Sequence, residues 1–338
     1  MSPTLPTHSR EVRLTAVPDG LPEARHFALM ETRLPALREG EVLVRNRYFA
    51  VFPGLRTLIG GEVDGVPLPR LHAGDTLFGP AVGEVLAGAL PPGTLVSHHA
   101  GWREYAVLPA GSCAPMDPAL PEPVAQLSMG EAGYGALTRL AEVRPGDTVL
   151  VTGAAGGVGS LAGQVARLLG AGRVIGSTGS AAKAARLTAE LGYDAVLLRD
   201  AAEPFGAQLA RAAPDGIDVL LDTVGGEQLT AAVRAGRAGA RFALVGALSG
   251  QFAADRAGGS SPVLLDSFRI VVNGISLRGY RGTEHPGVAA EWTARFGGWL
   301  RSGEITFPHA VLPGIGRAPG ALRELIDGRQ VGAVVVEL

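Results

Sequence analysis

Four glycines, Gly153, Gly156, Gly157 and Gly159, stand between an apolar, β-prone segment (Thr148–Thr152) and a run whose apolar residues recur at helical spacing (Leu161, Val165, Leu168 and Leu169). A second apolar strand, Val174–Ile175, closes the unit. Glycines so placed let the backbone turn tightly and approach a pyrophosphate, whose charge is met by free N–H groups at a helix N-terminus. A glycine cluster alone is weak evidence, because any tight turn before a helix resembles it. A strand before it and a helix after it are the context that gives it meaning. Dinucleotide binding is therefore the first chemistry to expect.

The end of the second strand refines that expectation. An NAD site usually places Asp or Glu roughly 20 residues past the glycines, where it binds the ribose 2′-OH. This chain instead has Gly176, Ser177, Thr178, Gly179 and Ser180, with no carboxylate until Glu190. It then offers Lys183, the only lysine among 30 basic residues. A lysine on an exposed helical turn is ordinarily solvated surface. Hydroxyls and a cation without an acid favour NADPH over NADH.

Composition bounds the rest. A chain of 338 residues is long enough for two domains with real cores. The formal net charge is −2 and basic residues are scattered, so neither a nucleic acid nor a membrane surface is indicated as a partner. No apolar run of about 18 residues is free of polar breaks. The N-terminus lacks the apolar core of a secretory signal. A single cysteine, Cys113, excludes an internal disulfide and fits a reducing cytoplasm.

The elements that must position these residues follow from periodicity. Residues 10–115 read as strands broken by Pro/Gly turns, among them Glu11–Thr15, His26–Thr32, Glu41–Tyr48, Thr94–Ser97 and Trp102–Leu108, with a short turn at Gly54–Ile59. This predicts a compact, mostly β domain. The proline-rich stretch Ala110–Val124 reads as the connection. From Gln126–Glu142, read as helical, helix and strand segments alternate: helix Ala181–Leu191, strand Ala195–Leu198, helix Pro204–Ala212, strand Asp218–Asp222, helix Glu227–Ala235 and strand Arg241–Gly246. Alternation of this kind specifies a parallel sheet with ligands beyond the carboxyl ends of its strands. Those ends are Thr152, Thr178, Asp222–Val224 and Val245–Ala247. A long Gly/Ser-containing loop occupies 248–262, and loops of that length are usually functional or disordered. A helix at Val263–Val272, a strand at Ile275–Tyr280 and a long helix at Val288–Ser302 follow. The tail, with helix Ala318–Asp327 and strand Gly332–Val336, is expected to return to the first domain.

These segments carry a resemblance. EGEVLVRN in the 40–46 region, GDTLFGPAVGEVLA (74–87), GWREYAV (101–107), RPGDTVLVTGAAGGVGS (144–160), DTVGGE (222–227), ARFALVGALS (240–249) and the terminal GRQVGAVVVEL resemble the zinc-free branch of the medium-chain dehydrogenase/reductase superfamily. Within it they are most similar to the NADPH-dependent 2-alkenal, curcumin and leukotriene B4 dehydrogenase (prostaglandin reductase) group and its quinone oxidoreductase-like relatives. The resemblance implies an α/β chain with a GroES-like, mostly β domain (residues 1–122, completed by about 304–338) and a doubly wound Rossmann domain (residues 123–303). It also implies a homodimer, with pairing through the edge strand near Ile275–Tyr280. Ala155, Gly156, Gly157 and Val158 would hold the pyrophosphate. Gly179, Ser180 and Lys183 would face the 2′-phosphate. Val224, Val245, Gly246 and Ala247 would line the nicotinamide ribose. Arg199 stands where the family usually has a tyrosine beside the adenosine phosphate; it adds a cation there, and reads equally as a solvated loop residue.

The chemistry of the donors bears on metal use. Zinc alcohol dehydrogenases need Cys and His ligands, with a structural site of four cysteines. One cysteine supplies neither, and the adjacent His98 and His99, the only close pair of the seven histidines, point to opposite faces of a strand and read as surface or turn residues. No metal is expected. Without a Lewis acid nothing stabilises an alkoxide, so alcohol oxidation is disfavoured. Hydride addition to a polarised C=C remains feasible, with the enolate oxygen held by hydrogen-bond donors and the α-carbon protonated from solvent or a tyrosine.

Of five tyrosines, Tyr105 and Tyr193 read as structural. Tyr134, in a GYGAL turn, and Tyr280, in RGYRG, are the catalytic candidates, although a packing role suits each at least as well. Tyr48 precedes Phe52, Pro53, Gly54, Leu55 and Arg56, where relatives carry an Asp-Pro-Tyr-Met-Arg type segment; that tyrosine is gone, and the 248–262 loop lacks another. The expectation is an NADPH-dependent ene reductase for a conjugated enone or enal. Two alternatives stay open: an NADPH quinone reductase, and a protein that binds NADPH without catalysis.

Overall fold

The computed structural model describes residues 4–59, 68–253 and 258–338. The chain divides into two compact units: Met1–Leu127 with Ala310–Arg329 and Ala333–Leu338, and Ser128–His309 with Gln330–Gly332.

In the first unit, β1 (His8–Leu14) and β2 (Phe27–Arg33) form an antiparallel pair. The eleven-residue β3 (Glu41–Val51) pairs with β4 (Ala81–Gly88), with β6 (Tyr105–Pro109) and with the C-terminal strand Ala333–Glu337. The short strands β5 (Leu95–His98) and β7 (Ala114–Pro115) extend the sheet beyond β4. Gly54–Ile59 forms a helix, α1. The returning helix Ala318–Ile326 adds Ala321 and Leu322 to a core of Val12, Leu14, Phe49, Val51, Leu55, Leu77 and Trp102.

Two polar arrangements hold the loops to this core. Trp102 has a left-handed backbone (φ 62°), uncommon for a bulky residue. Its indole is buried 5.1 Å from the Phe49 ring, and Asn46 Nδ2 donates to Ala100 O (3.0 Å) and Arg103 O (2.8 Å), which fixes the turn. The second is the buried Glu11, whose carboxylate accepts from Arg13 Nε (2.8 Å), Thr32 Oγ1 (3.0 Å) and Thr76 Oγ1 (2.9 Å). His98 departs from the surface role expected of it. It is buried, its Nδ1 accepts from the Ala100 N–H at 3.0 Å, and burial pushes its pKa down to about 4, with Arg103 and His99 contributing. The strand end that turns one histidine outward turns its neighbour inward.

The second unit opens with α2 (Gly130–Gly135), which runs into a π-helical turn over Ala136–Leu140. Strand and helix then alternate: β8 (Thr148–Val151), α3 (Gly159–Leu168), β9 (Arg173–Thr178), α4 (Ala181–Glu190), β10 (Ala195–Leu198), α5 (Phe205–Ala212), β11 (Ile217–Asp222), α6 (Gly226–Ala235) and β12 (Gly236–Leu244). After α7 (Leu248–Gln251) and α8 (Ser267–Asn273) come β13 (Ser276–Gly279) and α9 (Val288–Ser302). Residues 254–257 of the long loop lie outside the described residues. All pairings are parallel, in the order β10-β9-β8-β11-β12-β13. Counted from β8 this is 3-2-1-4-5-6, the doubly wound order whose direction reverses between β8 and β11. The middle residues of the central strands, Val149, Leu150 and Val151 on β8 and Val219, Leu220 and Leu221 on β11, are apolar and buried, as burial on both faces demands.

Two helices differ from the periodicity. Gln126–Glu142 is a 3₁₀ turn (Pro123–Leu127), α2 and the π turn rather than one helix. The helix expected from Val263 begins at Ser267, where the Asp266 side chain accepts from the Arg269 N–H; Val263 and Leu265 instead pack on the core of the sheet.

Burial pushes the Glu11 carboxyl upward, but hydrogen bonds from Arg13, Thr76 and Thr32 outweigh it and leave the group below the usual glutamate range. A depressed carboxylate stabilises the fold above its unfolded-state pKa, and that contribution is lost as pH falls through the folded value. Glu11→Gln is expected to cost about 1–3 kcal/mol of unfolding free energy at neutral pH, since three donors lose a charged acceptor. Denaturant melts from pH 7 to pH 3 should converge for variant and wild type; equal stability at neutral pH would rule the network out as a determinant.

Candidate functional site

The site is built where the strands of the second unit end. The loop after β8 begins at Gly153, whose backbone is left-handed (φ 62°) and whose N–H donates to Ser177 Oγ at 3.1 Å. Ser177 is itself bonded to Gln228 on α6 (2.6 Å). Gly159 starts α3 against the loop: a Cβ there would stand 2.4 Å from Gly153 O and 2.6 Å from Ala154 Cα. Because these neighbours are backbone, only glycine permits the approach. The Val158 and Gly159 N–H groups meet no acceptor among the described residues, and Val158 brings no side-chain cap. The ten-residue α3 adds its partial positive charge at this end, and unpaired helix N-terminal N–H groups of this kind suit an anion. Of the residues expected to hold a pyrophosphate, Gly156 is exposed, Gly157 and Val158 are partly so, and Ala155 is buried, its carbonyl accepting from Gly332 N (2.9 Å).

The turn after β11 is organised by Asp222. Its buried carboxylate accepts from Thr152 Oγ1 (2.5 Å) and from the Val224 and Gly225 N–H groups (3.0 Å each). Burial raises its pKa; the Thr152 and backbone donors pull the other way. The turn after β12 is tied to it, with Val245 N donating to Asp222 O (2.7 Å) and Ser249 N to Val224 O (2.9 Å). A Cβ on Gly246 would lie 3.0 Å from Thr223 O, and one on Gly153 would lie 3.3 Å from Val224 Cγ2. The structure therefore brings Val224, Val245, Gly246 and Ala247 beside the glycine loop, at the sheet's switch point.

The residues expected to face a 2′-phosphate also converge. Ser180 Oγ caps α4 by accepting from Lys183 N (3.5 Å). Lys183 is half-buried, and burial together with nearby Arg199 pushes its ammonium below the usual lysine value. Arg199 N donates to Thr178 O (2.9 Å), while its guanidinium pairs with Asp200 at 2.8 Å, both side chains being about 60% exposed.

The tyrosines behave differently. Tyr134 is buried between Trp292 and Trp299, and its hydroxyl donates to Glu291, which also pairs with Arg139 and, at 3.3 Å, Arg295. Burial and then this acceptor raise its pKa to about 12. Tyr280, just past β13, stacks on His285 (5.3 Å between centroids) and lies over Gly135, where a Cβ would meet its hydroxyl at 2.0 Å. The Tyr280 hydroxyl is buried with no hydrogen-bond partner among the described residues, and burial raises its pKa. Tyr193, read as structural, is buried and donates to Gly159 O at 2.6 Å, behind the glycine loop.

Sequence reasoning overlooked Gln228, Glu291 and Asp200, and did not foresee that Ser177 would accept from the Gly153 N–H. Glu291 lies 157 residues from its tyrosine, and no local pattern reports it. Gly159→Ala tests the backbone contact. It is expected to destabilise the protein by about 1–3 kcal/mol through overpacking, read by urea denaturation, whereas Gly298→Ala, whose Cβ would meet nothing within 4 Å, should be neutral or slightly stabilising.

Residues 10–116 match a family described as the N-terminal domain of oxidoreductase, and residues 157–295 match one described as zinc-binding dehydrogenase. Prostaglandin reductase 1 of Oryctolagus cuniculus is 30% identical over 328 residues, covering 93% of this chain and 88% of its own. The NADPH-dependent curcumin reductase of Escherichia coli (strain K12) is 28% identical over 333 residues, covering 96% and 95%. The crystal structure of CurA in complex with NADPH from Vibrio vulnificus matches with a TM-score of 0.86 at 28% identity, over 97% of this chain and 98% of that one. The zinc of the second family's description does not suit this chain. Residues 157–295 contain no cysteine and one histidine, His285, and among the described residues no three His, Cys, Asp or Glu side chains are grouped to hold a metal. Matched in both units and aligned over most of its length with relatives named prostaglandin reductase and curcumin reductase, the chain belongs to the medium-chain dehydrogenase/reductase superfamily of oxidoreductases.

Proposed function

We propose that this chain is an NADPH-dependent ene reductase acting on α,β-unsaturated ketones or aldehydes. The carrying observation is the pairing of an open, uncapped α3 N-terminus with a cluster of Ser180, Lys183 and Arg199 at the end of β9. The first suits a pyrophosphate and the second a 2′-phosphate. Curcumin, for which one relative is named, carries C=C bonds conjugated to carbonyls, which supports the substrate class.

In this reading Ala155, Gly156, Gly157 and Val158 hold the pyrophosphate, Gly179, Ser180, Lys183 and Arg199 the 2′-phosphate, and Val224, Val245, Gly246 and Ala247 the nicotinamide ribose. NADPH, when bound, supplies the hydride that adds to the β-carbon. Tyr280 is the proton donor of the proposal: its hydroxyl is buried and unpartnered among the described residues, and its raised pKa keeps it protonated at neutral pH. Tyr134 enters as a positioning residue, because its hydroxyl is committed to Glu291.

A panel of enones, enals and quinones with NADPH or NADH tests the reading. Enone-dependent NADPH oxidation is expected, with Lys183→Ala raising the KM for NADPH about tenfold, the loss of one charge-assisted contact. Tyr280→Phe should lower kcat with little change in KM. Reduction of quinones alone would favour a quinone reductase, and NADPH binding without turnover of any acceptor would favour a binding protein.

A homodimer belongs to the same proposal. β13 stands at the edge of the sheet, and beside it Leu264, Phe268, Val271 and Val272 are 59–85% exposed. An open edge next to an apolar patch suits pairing with a second copy. Sedimentation should give a dimer at micromolar concentration; a monomer would overturn this part. Among the described residues no helix is long and apolar enough to cross a membrane.

A further inference from the structure

We infer that Asp200 sets how strongly this chain prefers a phosphorylated over an unphosphorylated adenosine ribose, by pairing with Arg199 and keeping a carboxylate at the end of β9. The inference rests on the NADPH reading above.

The parallel register places Leu198 beside Thr178, so Arg199 and Asp200 leave β10 next to Gly179. A Cβ on Gly179 would stand 2.7 Å from Arg199 Nη2 and 3.0 Å from Asp200 Oδ2, so both charged groups rest on that backbone. Arg199 grips the carboxylate through Nε (3.0 Å) and Nη2 (2.8 Å). Lys183 feels Arg199 electrostatically, which puts all three charges in one cluster. Two cations and one anion therefore face the ribose position, where a count along β9 alone finds no acid.

The pair is exposed, so water screens it and it separates at little cost. A phosphate offers Arg199 more charge and the same two-pronged geometry, and takes it from the carboxylate. Asp200 is then a like charge beside the phosphate, which opposes binding. Against an unphosphorylated ribose the same carboxylate is an acceptor for the 2′-OH, the arrangement that NAD sites use. Asp200 thus narrows a preference that Lys183 and Arg199 would otherwise make wide.

Calorimetric titration with 2′,5′-ADP and 5′-AMP separates these effects without turnover. Asp200→Asn is expected to tighten 2′,5′-ADP about two- to fivefold, the range of an exposed charge pair, with 5′-AMP unchanged or weaker. Arg199→Ala should weaken 2′,5′-ADP and leave 5′-AMP unchanged. A wild type that favours 2′,5′-ADP, with Asp200→Asn equal to it or weaker, overturns the role of Asp200 and leaves the phosphate reading standing. A wild type and an Asp200→Asn variant that both bind the two nucleotides equally overturn the phosphate reading and this inference together.

Discussion

The second unit depends on one close contact, that of the start of α3 with the backbone at the end of β8. Gly159 lies so near Gly153 O and Ala154 Cα that no side chain fits between them. Two further glycines serve the same approach from behind. Gly163 on α3 and Gly176 on β9 both lie against the Tyr193 ring, which would meet a Cβ at 2.3 and 2.8 Å. Tyr193 completes the arrangement by donating to Gly159 O, so the carbonyl buried by the contact stays satisfied. The outcome is a helix end whose first N–H groups meet no acceptor among the described residues. Such a helix end is tolerated because the first N–H groups of any helix lack an intrahelical partner and can bond water.

Two buried carboxylates organise the loops, and they do so in opposite electrostatic regimes. Glu11 has an arginine among its donors, and its pKa falls despite burial. Asp222 has a hydroxyl and backbone N–H groups, and burial prevails. Charge compensation explains the difference: a guanidinium repays desolvation that neutral donors repay only in part. Asp222 nevertheless fixes two turns at once, because its side chain holds Val224 and Gly225 while its carbonyl accepts from Val245 and Gly246. Backbone and hydroxyl donors on one carboxylate thereby keep both turns in register without bringing a second charged side chain to them.

What the sequence disclosed follows from how local each determinant is. Val288–Ser302 was legible to its ends, since an amphipathic stripe between two glycines states a helix directly. The parallel, doubly wound sheet was legible because alternation of strand and helix leaves few topologies open. The 126–142 segment was not: a change from i→i+4 to i→i+5 bonding leaves the apolar spacing nearly intact, so pattern alone cannot separate α2 from the π turn. His98 misled for a related reason, as adjacency reveals that two side chains diverge but not which one the core receives. The glycine loop could be read because a glycine's identity reports its own backbone. The tyrosines could not, because a hydroxyl's role depends on its acceptor, and Glu291 arrives from α9.

The end of β9 carries that lesson furthest. Reading cofactor preference from the first acid downstream treats one strand as if it bounded the ribose site alone. In a parallel sheet the neighbouring strand ends at the same level, and here β10 delivers Arg199 and Asp200 onto Gly179, some 20 residues later in sequence than the position being filled. Just past β10, Arg199 reads from sequence equally as a cation near the adenosine phosphate and as a solvated loop residue, and Asp200 carries no signal of its own. Their meaning comes from the register that sets Leu198 against Thr178 and from the missing side chain at Gly179 that lets both lie on its backbone. On the proposed reading, cofactor choice is a property of two strand ends and the small residue between them, and substitution at either end is expected to move it.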